Sequence, residues 1–401
     1  MRTARWVRGI IVAVAAIAVA AISGCAGFWD PLPNSGGSGT NPVSGTFYVL
    51  NAKTNQLAGF AFAAGASSPT VVTNSPYALS GLPLAMAVAP SGNYLYVSTA
   101  GGVTYYTVNS DGSLTAGSQA ITGDQAIAMQ VDPSGSWLVY CVAGSNVLNA
   151  IQLDTSTGAS TGTLVTAPNR LPGTTAKEIA ISPSGSTNPY VFVAVGSSGF
   201  AAVGFSAGSS NPFASQRSYT VKNSQGGDNS IAVDPENRLL YVGETAAASG
   251  SQSGALRVFT IGSAFVSEIT TGTTDTAGTA YPYSSGGTGP SSIVATDSYV
   301  YVANSAVSGS SSGNISGFTV VTSTSGTSYS LTPINTVSTG PLTFGLAEDS
   351  TGAYLLAVNS GGSPDLSTFT FDSTTPGKLD AGPTSSTGTD PTGALVIVAA
   401  P

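Results

Sequence analysis

Any chemistry in this 401-residue chain is done without histidine, by 19 acidic residues, 11 basic residues and two cysteines. The missing His excludes a Ser-His-Asp triad and a His-ligated metal. Gly158-Ala-Ser-Thr-Gly162 and Gly309-Ser-Ser-Ser-Gly313 both fit G-x-S-x-G. Each lies in small, polar sequence with no helix following, so the strand–turn–helix setting of a nucleophile elbow is lacking. There is no phosphate-cradling Gly loop, no paired metal-ligand Cys and no Asp-x-Asp calcium loop, so neither a metal nor a cofactor is expected. The sparse charge, net −8, excludes a nucleic-acid partner, which needs clustered Lys and Arg. Asp132, Asp234, Asp297 and Asp349 recur at one kind of turn, where a short carboxylate caps backbone N–H groups.

The two cysteines have different surroundings. Arg2, Arg5 and Arg8 precede an apolar stretch from Ile10 to Ile22, which runs into Ser23-Gly24-Cys25. A positive head, a short apolar segment and small residues read as a secretory signal. The segment is shorter than the ~20 residues that span a bilayer. Ile22-Ser-Gly-Cys25 resembles the bacterial lipobox. That resemblance implies cleavage after residue 24, diacylglycerol on Cys25, and a partner in the membrane through that lipid. Ala26, not an acidic residue, follows Cys25, and by the same resemblance this implies outer-membrane sorting in the cell envelope. Residues 25–44 include Asp30-Pro-Leu-Pro-Asn-Ser-Gly-Gly-Ser-Gly-Thr-Asn41 and read as a flexible tether. Cys141, inside Trp137-Leu-Val-Tyr-Cys-Val-Ala143, reads as a small buried hydrophobe.

The elements that must position any site repeat from residue 45 to 401. One unit reads Ile231–Asp234, Leu239–Val242, Ala255–Ile261 and Val266–Thr270, four short strands a, b, c and d bounded by turn residues. The turn after strand a recurs near Pro90, Pro133, Pro183, Pro235, Asp297 and Asp349, at spacings of 43 to 62 residues. The N-terminal unit begins at strand b with Phe47-Tyr-Val-Leu50, while the C-terminal Ala394–Ala400 has the character of a lone strand a. Together they predict an all-β, seven-bladed propeller of four-stranded antiparallel blades, closed by the C-terminal strand a beside N-terminal strands b–d.

Asp132-Pro-Ser-Gly135, Tyr94-Leu-Tyr-Val97 and Tyr301-Val-Ala-Asn-Ser305 resemble the repeats of the YVTN/lactonase-like seven-bladed propellers. The resemblance covers 45–401. It implies the propeller and, for some relatives, lactone hydrolysis of the 6-phosphogluconolactonase kind. It carries no catalytic residue across to this chain.

A candidate site follows from topology. The b–c and d–a loops share one mouth, and Asn51, Glu244, Asn304 and Asn359 end their b strands there. Tyr281 and Tyr283 lie in the long 272–289 loop at the same mouth. This predicts a ligand-binding mouth in which loss of Glu244 weakens the ligand and spares the fold. With no catalytic constellation in view, the expected function is a non-catalytic binding or surface module with a protein or glycan ligand. A lactonase-type hydrolase is the alternative.

Overall fold

The computed structural model describes residues 43–401 apart from 64–65, 220–225, 246–253, 264, 273–281, 308, 327, 388–393 and 401. Cys25, segment 1–24, the tether up to residue 42 and Tyr281 lie outside the described residues. Every described element is a strand, and the strands form seven antiparallel sheets.

The inner a strands are Pro83–Val88, Ala126–Val131, Glu178–Ile181, Asp228–Val233, Thr288–Ala295, Thr343–Glu348 and Ala394–Ala400, in blades 1 to 7. Strands b, c and d follow outward in each blade. Closure is as the repeat predicts: Ala394–Ala400 pairs antiparallel with Val43–Asn51, Thr46 opposite Ala400 and Leu50 opposite Val396. The closing blade packs on both neighbours. Phe47 and Val49 share a cluster with Leu356 and Val358 of blade 6, while Tyr48 and Leu50 share one with Leu95 and Val97 of blade 1. Phe62 stacks on Tyr354 of blade 6 at 4.3 Å between ring centroids.

The b strands are apolar nearly throughout because they are covered on both faces. Leu95, Val139, Phe192, Leu240, Val300 and Leu355 are fully buried. In blades 7, 1 and 5 a strand-b Tyr is a strut between blades. Tyr48, Tyr96 and Tyr301 donate their hydroxyls to the carbonyls of Gly112, Gly158 and Gly377 in the c–d turn of the next blade, at 2.7 to 2.9 Å. Gly158 and Gly377 have φ of +73° and +78°, and a Cβ on either would meet a Tyr ring at 2.4 or 2.3 Å. Glycine therefore suits these turns twice over, by conformation and by space.

The turn carboxylates cap as expected. Asp132 Oδ1 accepts the Trp137 N–H, Asp234 Oδ1 those of Arg238 and Leu239, and Asp349 Oδ1 those of Ala353 and Tyr354. Asp297 does not follow them. In blade 5 the cap is Thr296, whose Oγ1 accepts the Tyr299 N–H at 3.1 Å, because that turn is shorter. Cys141 is fully buried, and burial pushes its thiol up to about 12, far from reactivity.

The sequence repeat did not reveal a bulge near the start of the inner strands. In blade 1, Pro83 pairs with Thr99 and Ala85 with Ser98, which leaves Leu84 unpaired. Ile127, Asn229, Ser291 and Phe344 are skipped in the same way, as is position 395. In blade 3 the equivalent place is Lys177, whose N–H donates to the Ala194 carbonyl at 2.9 Å. Bulges re-aim a side chain out of the ladder. Here they set one residue per blade around one end of the central channel.

Candidate functional site

The inner strands enclose a channel of about 650 Å³. Its rim is the bulge ring, and that ring has two unlike arcs. Lys177, Asn229 and Ser291 stand on blades 3, 4 and 5, whereas Phe344, Leu84 and Ile127 stand on blades 6, 1 and 2.

The polar arc holds unused hydrogen-bonding capacity. Lys177 is exposed and lines the channel, and its ammonium makes no ion pair with a described residue. Asn229, half-buried on the next blade, likewise has no described side-chain partner. Glu178 follows Lys177 and turns toward blade 4, where its Oε2 accepts the Ile231 N–H at 2.8 Å. Its Oε1 has no partner among the described residues. Burial raises the Glu178 carboxyl to about 8, against the lowering effect of that one N–H. Its counterparts in the other described blades are small: Ala85, Ala128, Ser230, Ser292 and Gly345. Ser292 makes the same reach, accepting the Leu346 N–H at 3.1 Å.

Roughly 10 Å further along the channel, at ~3.3 Å per residue, Glu348 lies at a level where the other described blades place Val88, Val131, Ile181, Val233 and Ala295. Its Oε1 is buried without a partner among the described residues, and burial, with the Asp349 carboxylate adding, raises it to about 7.

A carboxyl that exchanges its proton near neutrality can serve as general base and acid. An unpaired ammonium beside it can hold a developing oxyanion or a product carboxylate. Three other described cations are engaged elsewhere: Arg238 with Asp234 and Glu236, Arg257 with Glu244 and Glu268, and Lys378 with Asp372 and Asp380.

The mouth residues expected from the sequence sit at this end of the propeller, buried and hydrogen-bonded within their own blades, although Glu244 Oε1 and Asn304 Oδ1 have no partner among the described residues. Asn51, Glu244, Asn304 and Asn359 are fully buried, and none lines the channel. Asn51 Oδ1 accepts the N–H groups of Lys53 and Thr54, closing its b–c turn. Asn304 Nδ2 donates to Ser285 O and to Asn314 Oδ1, both at 2.8 Å. Asn359 Nδ2 donates to Pro364 O and Ser367 Oγ, and its Oδ1 accepts the Thr343 hydroxyl. Glu244 Oε2 accepts Arg257 Nε at 2.7 Å inside blade 4. Tyr283 is half-buried between blades, its hydroxyl accepting the Leu331 N–H at 3.3 Å. Lys177 and Glu178 precede the apolar run Ile179-Ala-Ile181 that marks this inner strand in the sequence, so the repeat does not single them out. Aligning the inner strands one residue earlier shows a lone Glu among small residues.

The raised carboxyls give stability an unusual pH dependence. Burial, then the Glu244 carboxylate, raises Asp228 to about 7, so three groups hold protons in the fold that the unfolded chain has shed. Between pH ~4 and their folded values the native state binds more protons, so stability falls as pH rises, by up to ~1.4 kcal/mol per unit for each group. Thermal melting should give a higher Tm at pH 5.5 than at pH 8. A Tm that is equal or higher at pH 8 would show that these carboxyls ionise freely in the fold.

The family model described as "Lactonase, 7-bladed beta-propeller" matches residues 41–175, about a third of the chain. This bears out the resemblance read from the repeats. No curated protein sequence matches the chain. Among solved structures, the periplasmic gluconolactonase of Pseudomonas aeruginosa is similar at 16% identity, over 89% of this chain and 99% of that one, with a TM-score of 0.62. A provisionally assigned 6-phosphogluconolactonase from Bacteroides uniformis ATCC 8492 is similar at 15% identity, over 88% and 98%, with a TM-score of 0.65. A functionally unknown protein from Desulfotomaculum acetoxidans DSM 771 is similar at 14% identity, over 88% and 98%, with a TM-score of 0.61. At these identities the likeness establishes the fold.

Proposed function

We propose that this lactonase-like propeller hydrolyses a lactone in its central channel. The observation that carries the reading is the group of unspent polar side chains, Lys177, Glu178 and Asn229, gathered on one arc of the channel. The lactone carbonyl lies toward Lys177, with Asn229 hydrogen-bonding to a ring oxygen or hydroxyl. Ionised Glu178 takes a proton from water through Oε1 as the water oxygen bonds to the carbonyl carbon. The oxyanion that forms faces the Lys177 ammonium. Collapse breaks the ring C–O bond, the departing alkoxide takes the proton back from Glu178, and a hydroxy acid leaves.

The protein should hydrolyse glucono-1,5-lactone above the spontaneous rate, followed by acid release. Lys177→Met should lower kcat/KM by about 10- to 100-fold, the ~1.5–3 kcal/mol of a hydrogen bond to a charged group. The exposed, unpaired Lys177 can be replaced without loss of fold. A protein that binds the lactone without turnover is the non-catalytic module instead.

The same proposal places the protein outside the cytoplasm, anchored through Cys25. The periplasmic location of the Pseudomonas aeruginosa neighbour supports that placement. The chain enters the fold at Val43, where the first b strand meets the end of strand a, at the face away from the bulge ring. A tether attached there leaves the bulge-ring end of the channel clear of the attachment point.

A further inference from the structure

The bulge ring differs around its circumference in a way that bears on the ligand. Opposite the polar arc, Phe344 stands on blade 6 with 46% of its surface exposed, and half-buried Leu84 and Ile127 stand on blades 1 and 2. Leu342 and Leu82, 47% and 51% exposed, precede the inner strands of blades 6 and 1 by one residue, at the same mouth. Three of the six exposed large hydrophobic residues among those described thus gather at one side of one opening. The others, Val71, Leu164 and Val321, are scattered along outer strands. Single exposed apolar residues need no explanation, whereas a gathered set at a cavity mouth does.

Leu342 adds an independent sign. Its φ is +52°, in the left-handed region that favours Gly or Asn. The backbone is held there by the Ser360 and Gly361 N–H groups, which donate to the carbonyls of Leu342 and Pro341. A branched apolar side chain in that conformation, nearly half exposed, serves neither the turn nor the core. It adds apolar surface beside Phe344.

We infer that the ligand of this channel is amphipathic: a lactone carrying an aliphatic substituent. This rests on the proposed lactone site, which it deepens. The ring lies against Lys177, Glu178 and Asn229, and the alkyl chain crosses the channel to Phe344 and its neighbours. Both arcs line one cavity, so a molecule polar at one end only uses both. A phosphorylated sugar lactone would meet one cation on the polar arc and none on the apolar arc. It suits this channel less well than a neutral lactone with a hydrocarbon tail.

The test is a homologous series of γ-lactones with alkyl substituents from methyl to hexyl. Hydrolysis is measured by acid release and binding by titration calorimetry. Affinity should strengthen with each methylene by at least twofold and up to about fourfold, the latter being the ~0.8 kcal/mol of a fully buried CH₂. Phe344→Ser and, separately, Leu82→Ser should flatten that chain-length dependence. Leu164→Ser, an exposed leucine on an outer strand, should leave it unchanged. Binding that strengthens with chain length but without hydrolysis supports this inference and contradicts the hydrolase reading. Hydrolysis or binding with no chain-length dependence, or a dependence that survives Phe344→Ser and Leu82→Ser alike, overturns the inference while the lactone reading stands. No binding and no hydrolysis of any lactone overturns both.

Discussion

Deleting residues 394–401 is expected to leave the protein unfolded or insoluble, although it removes eight residues of 401. Those residues supply the inner strand of the seventh blade, in register with six residues of the first b strand from Thr46 to Asn51. Each ladder hydrogen bond contributes a net ~0.5–1.5 kcal/mol. Removing the strand also uncovers Phe47, Tyr48, Val49 and Leu50, all fully buried in the intact ring. Burying an apolar side chain of this size is worth ~1.5–3 kcal/mol, so even part of that loss is comparable with a typical total stability of ~5–15 kcal/mol. The strand packs against the inner strands of blades 6 and 1 as well, so its loss opens the ring and leaves a flat apolar edge, which templates aggregation. Circular dichroism melting and solubility of the truncated chain measure this. A truncation melting with the parent would mean the closing strand contributes nothing to the ring.

Glu244→Ala should destabilise the fold by about 3–5 kcal/mol, read as a lowered denaturation midpoint. The sequence alone suggested a mouth residue that could be replaced without harm. Its carboxylate instead pairs with Arg257, 1% exposed, which also reaches Glu268 at 2.8 Å. Removing one partner of a buried pair leaves an uncompensated charge, and the cost lies there more than in the lost contact. Asp228, paired across the ladder from Glu244 and raised to about 7 by burial and then by that neighbour, would ionise more readily and offset part of the cost. The double variant Glu244→Leu/Arg257→Met should therefore recover much of what the single one loses. A Glu244→Ala protein as stable as the parent would refute the account of this cluster.

The architecture was legible because it rests on short-range pattern. Apolar b strands such as Tyr94-Leu-Tyr-Val97, the turn carboxylates and the unpaired first and last strands all report local constraints. The site was not legible for the same reason. Whether a polar residue at a strand end faces the channel depends on the bulge across the ladder, which no repeat unit announces. Asn51, Glu244, Asn304 and Asn359 each pair with the residue just before a bulge, at 394, 228, 290 and 343. There the side chain is buried within its own blade, and the next inner-strand residue takes the channel position. Lys177 and Glu178 carry scarce charge at that place, a signal that only the ladder register exposes.

The central claim, that Glu178 acts on a lactone in this channel, is tested most directly by its isosteric substitution. Initial rates of glucono-1,5-lactone hydrolysis, corrected for the spontaneous reaction, should be compared between the parent and Glu178→Gln from pH 6 to 9. Gln still accepts the Ile231 N–H, so the fold is kept while the proton acceptor is lost. The parent rate should climb with pH through about 8 as Glu178 ionises. The variant should lose about 10²- to 10⁴-fold in kcat, the usual share of a general base, together with that pH dependence. A Glu178→Gln protein that turns over the lactone at the parent rate with the same pH profile would contradict the account.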